Sequence, residues 1–166
     1  EVATRRVLRK KESQKSILKK LFQDCGATLI QNVKLERSSR RTSFDEDQFV
    51  QFYPYLPHLI DLSIDIMAGI RLQPNAPKHL GGSNRTIIKQ SFEMLVSDRT
   101  RLADQPVGAL VSIDKIYDLV EGNTPSEKQK DILDIRQRFG VSGEQGVLAV
   151  RVAKAVCLLE FVRDLP

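Results

Sequence analysis

Apolar residues recur along most of this chain at intervals of three and four, the spacing of one face of a helix. The most apolar run is YPYLPHLIDLSIDIMAGIRL, Tyr53 to Leu72. Within it Leu62, Ile64 and Ile66 alternate with Asp61, Ser63 and Asp65 as a strand would, so the local pattern leaves two readings. Length decides, because the run before Gly69 is long for a strand. Leu59, Leu62, Ile66, Met67 and Ile70 then form one helical stripe, with Asp61 and Asp65 a turn apart on the polar side. Pro57 suits a first-turn position, where its missing N–H costs nothing.

The flanking segments extend the same pattern. Ala3 to Asp24 reads as a helix with Val7, Ile17, Leu18, Leu21 and Phe22 on its apolar side, closed by Cys25-Gly26. Ala27 to Leu35 (ATLIQNVKL) has the β-branched, partly alternating look of a strand, with Leu29, Val33 and Leu35 inward. Ser38 to Ser43 is a polar connector, and a short helix between Asp45 and Phe52 leads into an aromatic cluster. That cluster, Phe49, Phe52, Tyr53 and Tyr55, reads as a core corner packed around Pro54 and Pro57. After the loop Gln73 to Gly82, Ser83 is a natural N-cap for a helix with the stripe Ile88, Phe92, Leu95 and Leu102.

Asp104-Gln105-Pro106 makes the next break. Val107 to Val111 reads as a short strand, and Ser112 caps a helix carrying Ile116, Leu119 and Val120 until Gly122. Thr124-Pro125-Ser126-Glu127 predicts a capping box, followed by Ile132, Ile135 and Phe139 and closed by Gly140. Ser142 to Gln145 repeats that signal more weakly. The last helix carries Leu148, Val152, Ala155, Val156, Leu159 and Val162, with Val147, Val150 and Leu158 elsewhere on its surface. Being apolar nearly all round, it is expected to be a central helix or to need a partner. The whole predicts a mainly α fold of five to seven helices with at most one small sheet. Three parts are expected: residues 1–42, a basic helix plus a strand-like segment; residues 43–123, a central helical region; residues 124–166, a C-terminal helical pair.

Composition narrows the function classes. With 166 residues, 41% hydrophobic and 28% charged, the chain has the make-up of a soluble globular domain. Its longest apolar runs are broken by Asp, Arg or Lys, so no membrane span is expected. No signal peptide is visible, and the first residue is Glu1 rather than Met, which suggests part of a longer protein. Cys25 and Cys157 lack metal-ligand spacing, and with only His58 and His79 beside them a zinc site is not expected. Both read as free thiols in a reducing cytoplasm, Cys157 within the core.

The positive charge is confined to one quarter. Residues 1–41 hold twelve bases against four acids, while the remainder is slightly acidic. Arg5, Arg6, Arg9, Lys10 and Lys11, followed by Lys15, Lys19 and Lys20, are the expected nucleic-acid-binding residues if the N-terminal helix tracks a phosphate backbone. The alternative is a solvated face whose bases pair with acids. No aromatic residue interleaves the early run, so base stacking is not indicated. Arg85 falls in the first turn of its helix, where the dipole disfavours a cation. Such a cation is either a surface arginine that tolerates its place or one set to meet an anion, which the free N–H groups there also attract. No GxxxxGK[ST] phosphate loop, metal-binding acidic pair or G-x-S-x-G elbow is present.

Taken in order, EVATRRVLRKK, LIQNVKL, FVQFYPYLPHLIDL, GGSNRTIIKQSFEML, VGALVSIDKIYDLVEG and VLAVRVAKAVCLLEFV resemble a set of large prokaryotic P-loop ATPases. These are the phage-defence ATPases of the bacteriophage exclusion (BREX) and phage growth limitation type. The resemblance spans nearly the whole chain, and YPYLP and GGSNRT are its most specific parts. It implies that residues 43–123 are the helical lid that follows an AAA+-type nucleotide-binding core, and that further helices lie beyond. It implies that Arg85 is the lid arginine directed at the γ-phosphate. ATP and magnesium would belong to the parent protein, whose phosphate loop this chain lacks. The expected partners are the remainder of that ATPase, other defence-system proteins and DNA. The other class that stands beside this one is a stand-alone helical nucleic-acid-binding module.

Overall fold

The computed structural model describes residues 7–34, 40, 42–74, 84–140 and 143–163, with the backbone alone for 84–86. Among the described residues there are seven α-helices and no strand, a mainly α fold as expected. They are α1 (Glu12–Asn32), α2 (Glu46–Phe52), α3 (Pro57–Arg71), α4 (Asn84–Val96), α5 (Ile113–Val120), α6 (Ser126–Phe139) and α7 (Gly143–Leu159). Successive helices pack on one another from α1 to α5, and α7 packs on both α5 and α6. One hydrophobic core runs through them, from Leu8 to Val162.

The anticipated stripe of α3 lies in that core, with Ile66 and Ile70 sealed from solvent. Each such side chain favours the folded state by about 1.5–3 kcal/mol relative to exposure. Ser63 shares the buried face, and its hydroxyl donates to the Leu59 carbonyl at 2.6 Å. Gly69 is there for close approach: a Cβ would overlap the carbonyl oxygen of Phe161. The C-terminal turn, which buries Phe161 and Val162, therefore crosses α3 at this glycine.

α2 starts with a full capping box. The Gln48 N–H donates to Asp45 at 2.8 Å, and the Asp45 N–H donates to the Gln48 side chain at 3.1 Å. The helix carries Phe49 into the core, where its ring lies 5.3 Å from Phe22 and 5.8 Å from Tyr53. The aromatic corner thus forms as expected around Phe49 and Tyr55, but it also recruits Phe22 and Phe44.

Several expectations are corrected. The helix expected over Ala3–Asp24 is not continuous: Leu8 turns into the core, residues 7–11 are not helical, and α1 starts at Glu12, while residues 3–6 lie outside the described residues. It also runs on through Cys25-Gly26, so the strand expected from Ala27 is helix as far as Asn32. Leu18, Phe22, Gly26, Leu29 and Val33 keep helical spacing, and that outweighs the β-branched look of the segment. Gly26 does not stop the helix because the Phe22 ring covers it; a Cβ would stand 2.8 Å from that ring. Val107 to Val111 is no strand: no strand lies beside it among the described residues, Val107 is exposed, and Val111 N–H donates to the Pro54 carbonyl at 2.9 Å.

The face of α4 is rotated from its expected stripe. Ile87, Ser91 and Met94 turn inward, while Phe92 is 55% exposed. Ser91 is selected for that face because it is small and meets the Tyr55 hydroxyl. Leu102 is buried beyond the helix, in a separate 3-10 turn. Thr100, also buried, donates to the Met94 carbonyl at 2.9 Å and so closes the C-terminal end of α4.

No capping box forms at Thr124. Its hydroxyl donates backwards to the Glu121 carbonyl at 2.7 Å, and Pro125 takes the N-cap position of α6. Ser112 holds the N-cap position of α5 without a side-chain capping bond. Finally, α7 is not central. Val150, Cys157 and Leu158 face the core, but Leu148, Val152 and Val156 remain about half exposed. With Ile135 and Phe139 of α6 they line an open groove of about 720 Å³. Ser38, Ser39 and Arg41 of the polar connector, together with His79 and the N-caps expected at Ser83 and Ser142, lie outside the described residues.

Candidate functional site

Two places carry the residues expected to act. The first is the basic N-terminal quarter. Arg5 and Arg6 lie outside the described residues. Arg9 and Lys11 are exposed in the non-helical segment leading into α1, where Lys11 takes the N-cap position. Lys10 is different. Its ammonium folds back over α2 and donates to the Gln51 carbonyl at 2.7 Å, near the helix end where carbonyls lack intrahelical partners. Burial pushes the Lys10 amine down to about 8.

Further along, the bases meet acids. Lys15 pairs with Glu12 at 2.7 Å, and Lys19 reaches Glu46 at 3.1 Å and Asp47 at 3.4 Å. Hydrogen bonds and charge from Glu46 and Asp47 hold the Lys19 amine above its ordinary value. Gln23 donates to Glu46 at 3.0 Å, which fixes the same carboxylate from the next turn of α1. Arg9, Lys10, Lys15 and Lys19 thus converge on one open groove of about 700 Å³ between α1 and the last turn of α2. The clamp of Lys19 onto α2 was not visible in the linear pattern. The only local hint of a turn back was the apolar pair Val7-Leu8 inside the basic run, of which Leu8 is buried and Val7 half-buried.

The second place is the start of α4. Arg85 occupies its first turn, and its side chain is outside what the structure describes. The rest of the helix is anchored by Met94 and Ser91. Burial raises the Tyr55 hydroxyl above its ordinary range, and the bond with Ser91 works against that shift. So α4 is held rigidly behind its first turn.

His58 lies in the first turn of α3, half-buried, with Nδ1 lacking a hydrogen-bond partner. Burial lowers its imidazole, while the charge of Asp61 acts in the opposite sense. Cys25 and Cys157 are both free thiols; the Cys25 Sγ lies 2.9 Å from the Leu21 carbonyl, and burial pushes the Cys157 thiol up. Among the described residues no cluster of His, Cys, Asp or Glu has the arrangement of a metal site. No helix among them is long and apolar enough to cross a membrane. No known family model and no solved structure matches the chain.

Proposed function

We propose that this chain is the lid and post-lid helical region of a phage-defence P-loop ATPase, non-catalytic by itself, which couples nucleotide state to protein or DNA partners. The observation that carries the reading is the place of Arg85: first turn of a helix whose remaining turns are pinned to the core. The first turn of a helix offers unpaired N–H groups and the positive end of the dipole, so a guanidinium beside them suits a phosphoryl oxygen. The resemblance of YPYLP and GGSNRT to that ATPase set supports the same assignment. ATP and magnesium would be held mainly by the parent's phosphate loop. This chain would supply one arginine and the rigid arm behind it.

The test is ATP hydrolysis by the full-length parent, with thermal melts as the folding control. Arg85→Ala should lower turnover by on the order of a hundredfold, less than a transferred arginine finger contributes. Arg85→Lys should rescue poorly, because an ammonium lacks the planar fork. The isolated chain should bind ATP negligibly. Wild-type turnover in the Ala variant would return Arg85 to a surface role.

A second reading, a helical nucleic-acid-binding module, draws on the exposure of Arg9, Lys11 and Lys20. Reversing Arg5, Arg6, Arg9 and Lys10 to Glu should abolish such binding, and affinity should fall steeply with added salt. Sequence preference surviving those changes would remove this reading.

A further inference from the structure

We infer that the groove between α1 and α2 is a phosphate-binding site centred on Lys10, taking a phosphate group that is either free or carried by a nucleic-acid backbone. The site does not depend on the lid reading; only its nucleic-acid source rests on the module reading.

The groove is built rather than incidental. Leu8, 4% exposed, anchors the segment that presents Arg9 and Lys10. The Lys10 ammonium is oriented by one bond to the Gln51 carbonyl at 2.7 Å, which leaves it two further N–H donors. Lys15 and Lys19 stand on the same wall, one turn apart on α1. Glu12 and Asp47 also line the groove, and they are engaged by Lys15 and Lys19 respectively. With Glu46 at 3.1 Å from Lys19, three acids stand against Arg9, Lys10, Lys15 and Lys19, which leaves a surplus of one positive charge.

Lys10 is the cation that an anion would relieve most. It is partly desolvated, its structural partner is a neutral carbonyl, and burial lowers its amine to about 8. An arriving phosphate restores a counter-charge at low cost, because the ammonium is already positioned. Arg9 at the rim adds a planar donor fork suited to phosphate oxygens.

The experiment is a backbone and lysine-ammonium NMR titration of the whole chain with inorganic phosphate at low ionic strength. A ten-nucleotide single-stranded DNA is then added as competitor. Phosphate should shift Leu8 to Glu12, Val50 and Gln51 saturably, and should raise the Lys10 amine above about 8. Lys10→Met should weaken phosphate binding about tenfold, the scale of one charge-assisted bond. Lys10→Arg should keep most of it, and Lys130→Met, exposed on α6 and away from the groove, should leave it unchanged. Displacement of phosphate by the oligonucleotide would identify nucleic acid as the source; persistence of phosphate would identify a free phosphate compound. Even shifts across all basic residues, or equal weakening by Lys10→Met and Lys130→Met, would overturn the site. If Lys10→Met proves unfolded in a melt, an unmoved Lys10 amine in the wild-type titration overturns it instead.

Discussion

At the scale of single residues, two positions are constrained by surroundings their own identity does not announce. Gly69 sits in the last turn of α3, where alanine would normally gain up to about 1 kcal/mol of helix propensity. Here the added methyl runs into the Phe161 carbonyl, which is backbone and cannot rotate aside. Gly69→Ala should therefore destabilise by about 1–3 kcal/mol, the usual scale of overpacking. Urea midpoints check this, and a variant as stable as wild type would mean the C-terminal turn does not cross α3 there. His58 makes a pH-dependent contribution of definite sign. Burial lowers its imidazole below the ordinary 6.5, so the unfolded chain takes up the proton first. Stability is whole above that value and declines as pH falls through it toward the lower folded value. His58→Gln should flatten this loss when urea midpoints at pH 7 and pH 5 are compared. An unchanged slope would place its origin elsewhere.

At the scale of elements, helix existence was legible and boundaries were not. The α3 stripe and the short α2 could be read locally, α3 once the length of its run ruled out a strand, because their apolar residues face one core from one side. α1 was misread because Gly26 and the β-branched segment after it carry local signals of termination and strand. The deciding contact, the Phe22 ring over Gly26, lies within the helix but is fixed by distant rings. α4 was rotated for a similar reason: a buried serine that bonds Tyr55 looks polar in the sequence, while the exposed Phe92 looks like core. Arg85 was placed correctly in a first turn, and convergence of Lys10, Lys15 and Lys19 on α2 was beyond linear pattern.

The Gly26 explanation can be tested by a double-mutant cycle. Gly26→Ala alone should destabilise, since Phe44 and Phe49 hold the Phe22 ring at centroid distances of 6.0 and 5.3 Å. In a Phe22→Leu background the clash is relieved, and the same change should become neutral or stabilising by up to about 1 kcal/mol. Thermal melts of the four proteins give the coupling. Additive effects would show that the ring is not the reason for the glycine.

At the scale of the whole molecule, the C-terminal hairpin of α6 and α7 is joined to the rest partly by charge. α5 presents Asp114 and Asp118 one turn apart, and α7 answers with Arg151 and Lys154. Lys154 also lies 5.7 Å over the buried Tyr117 ring, and Arg99, beyond α4, donates to the Asp118 carbonyl at 2.9 Å. The Asp114–Arg151 pair, 3.0 Å apart, gives the sharper test because two opposed effects meet on one carboxyl. Burial would raise Asp114, but the hydrogen bond and charge of Arg151, together with hydrogen bonds from Ser112 and the backbone, hold the carboxyl below its ordinary 3.8. In the wild type this contributes stability present above the unfolded value and lost as pH falls through the folded one. Arg151→Met removes the largest of the lowering effects and leaves burial opposed only by Ser112 and the backbone. The Asp114 carboxyl should then titrate higher than in the wild type, and the stability lost through this group as pH falls should shrink. At neutral pH the variant should lose about 1 kcal/mol, since Arg151 is half exposed and solvent screens the pair. Arg151→Lys should keep the wild-type sign. Carboxyl carbon NMR of Asp114 and urea midpoints at pH 7 and 4 measure both quantities. An Asp114 carboxyl that titrates in Arg151→Met where it does in the wild type would mean that the charge of α7 does not hold the hairpin to α5.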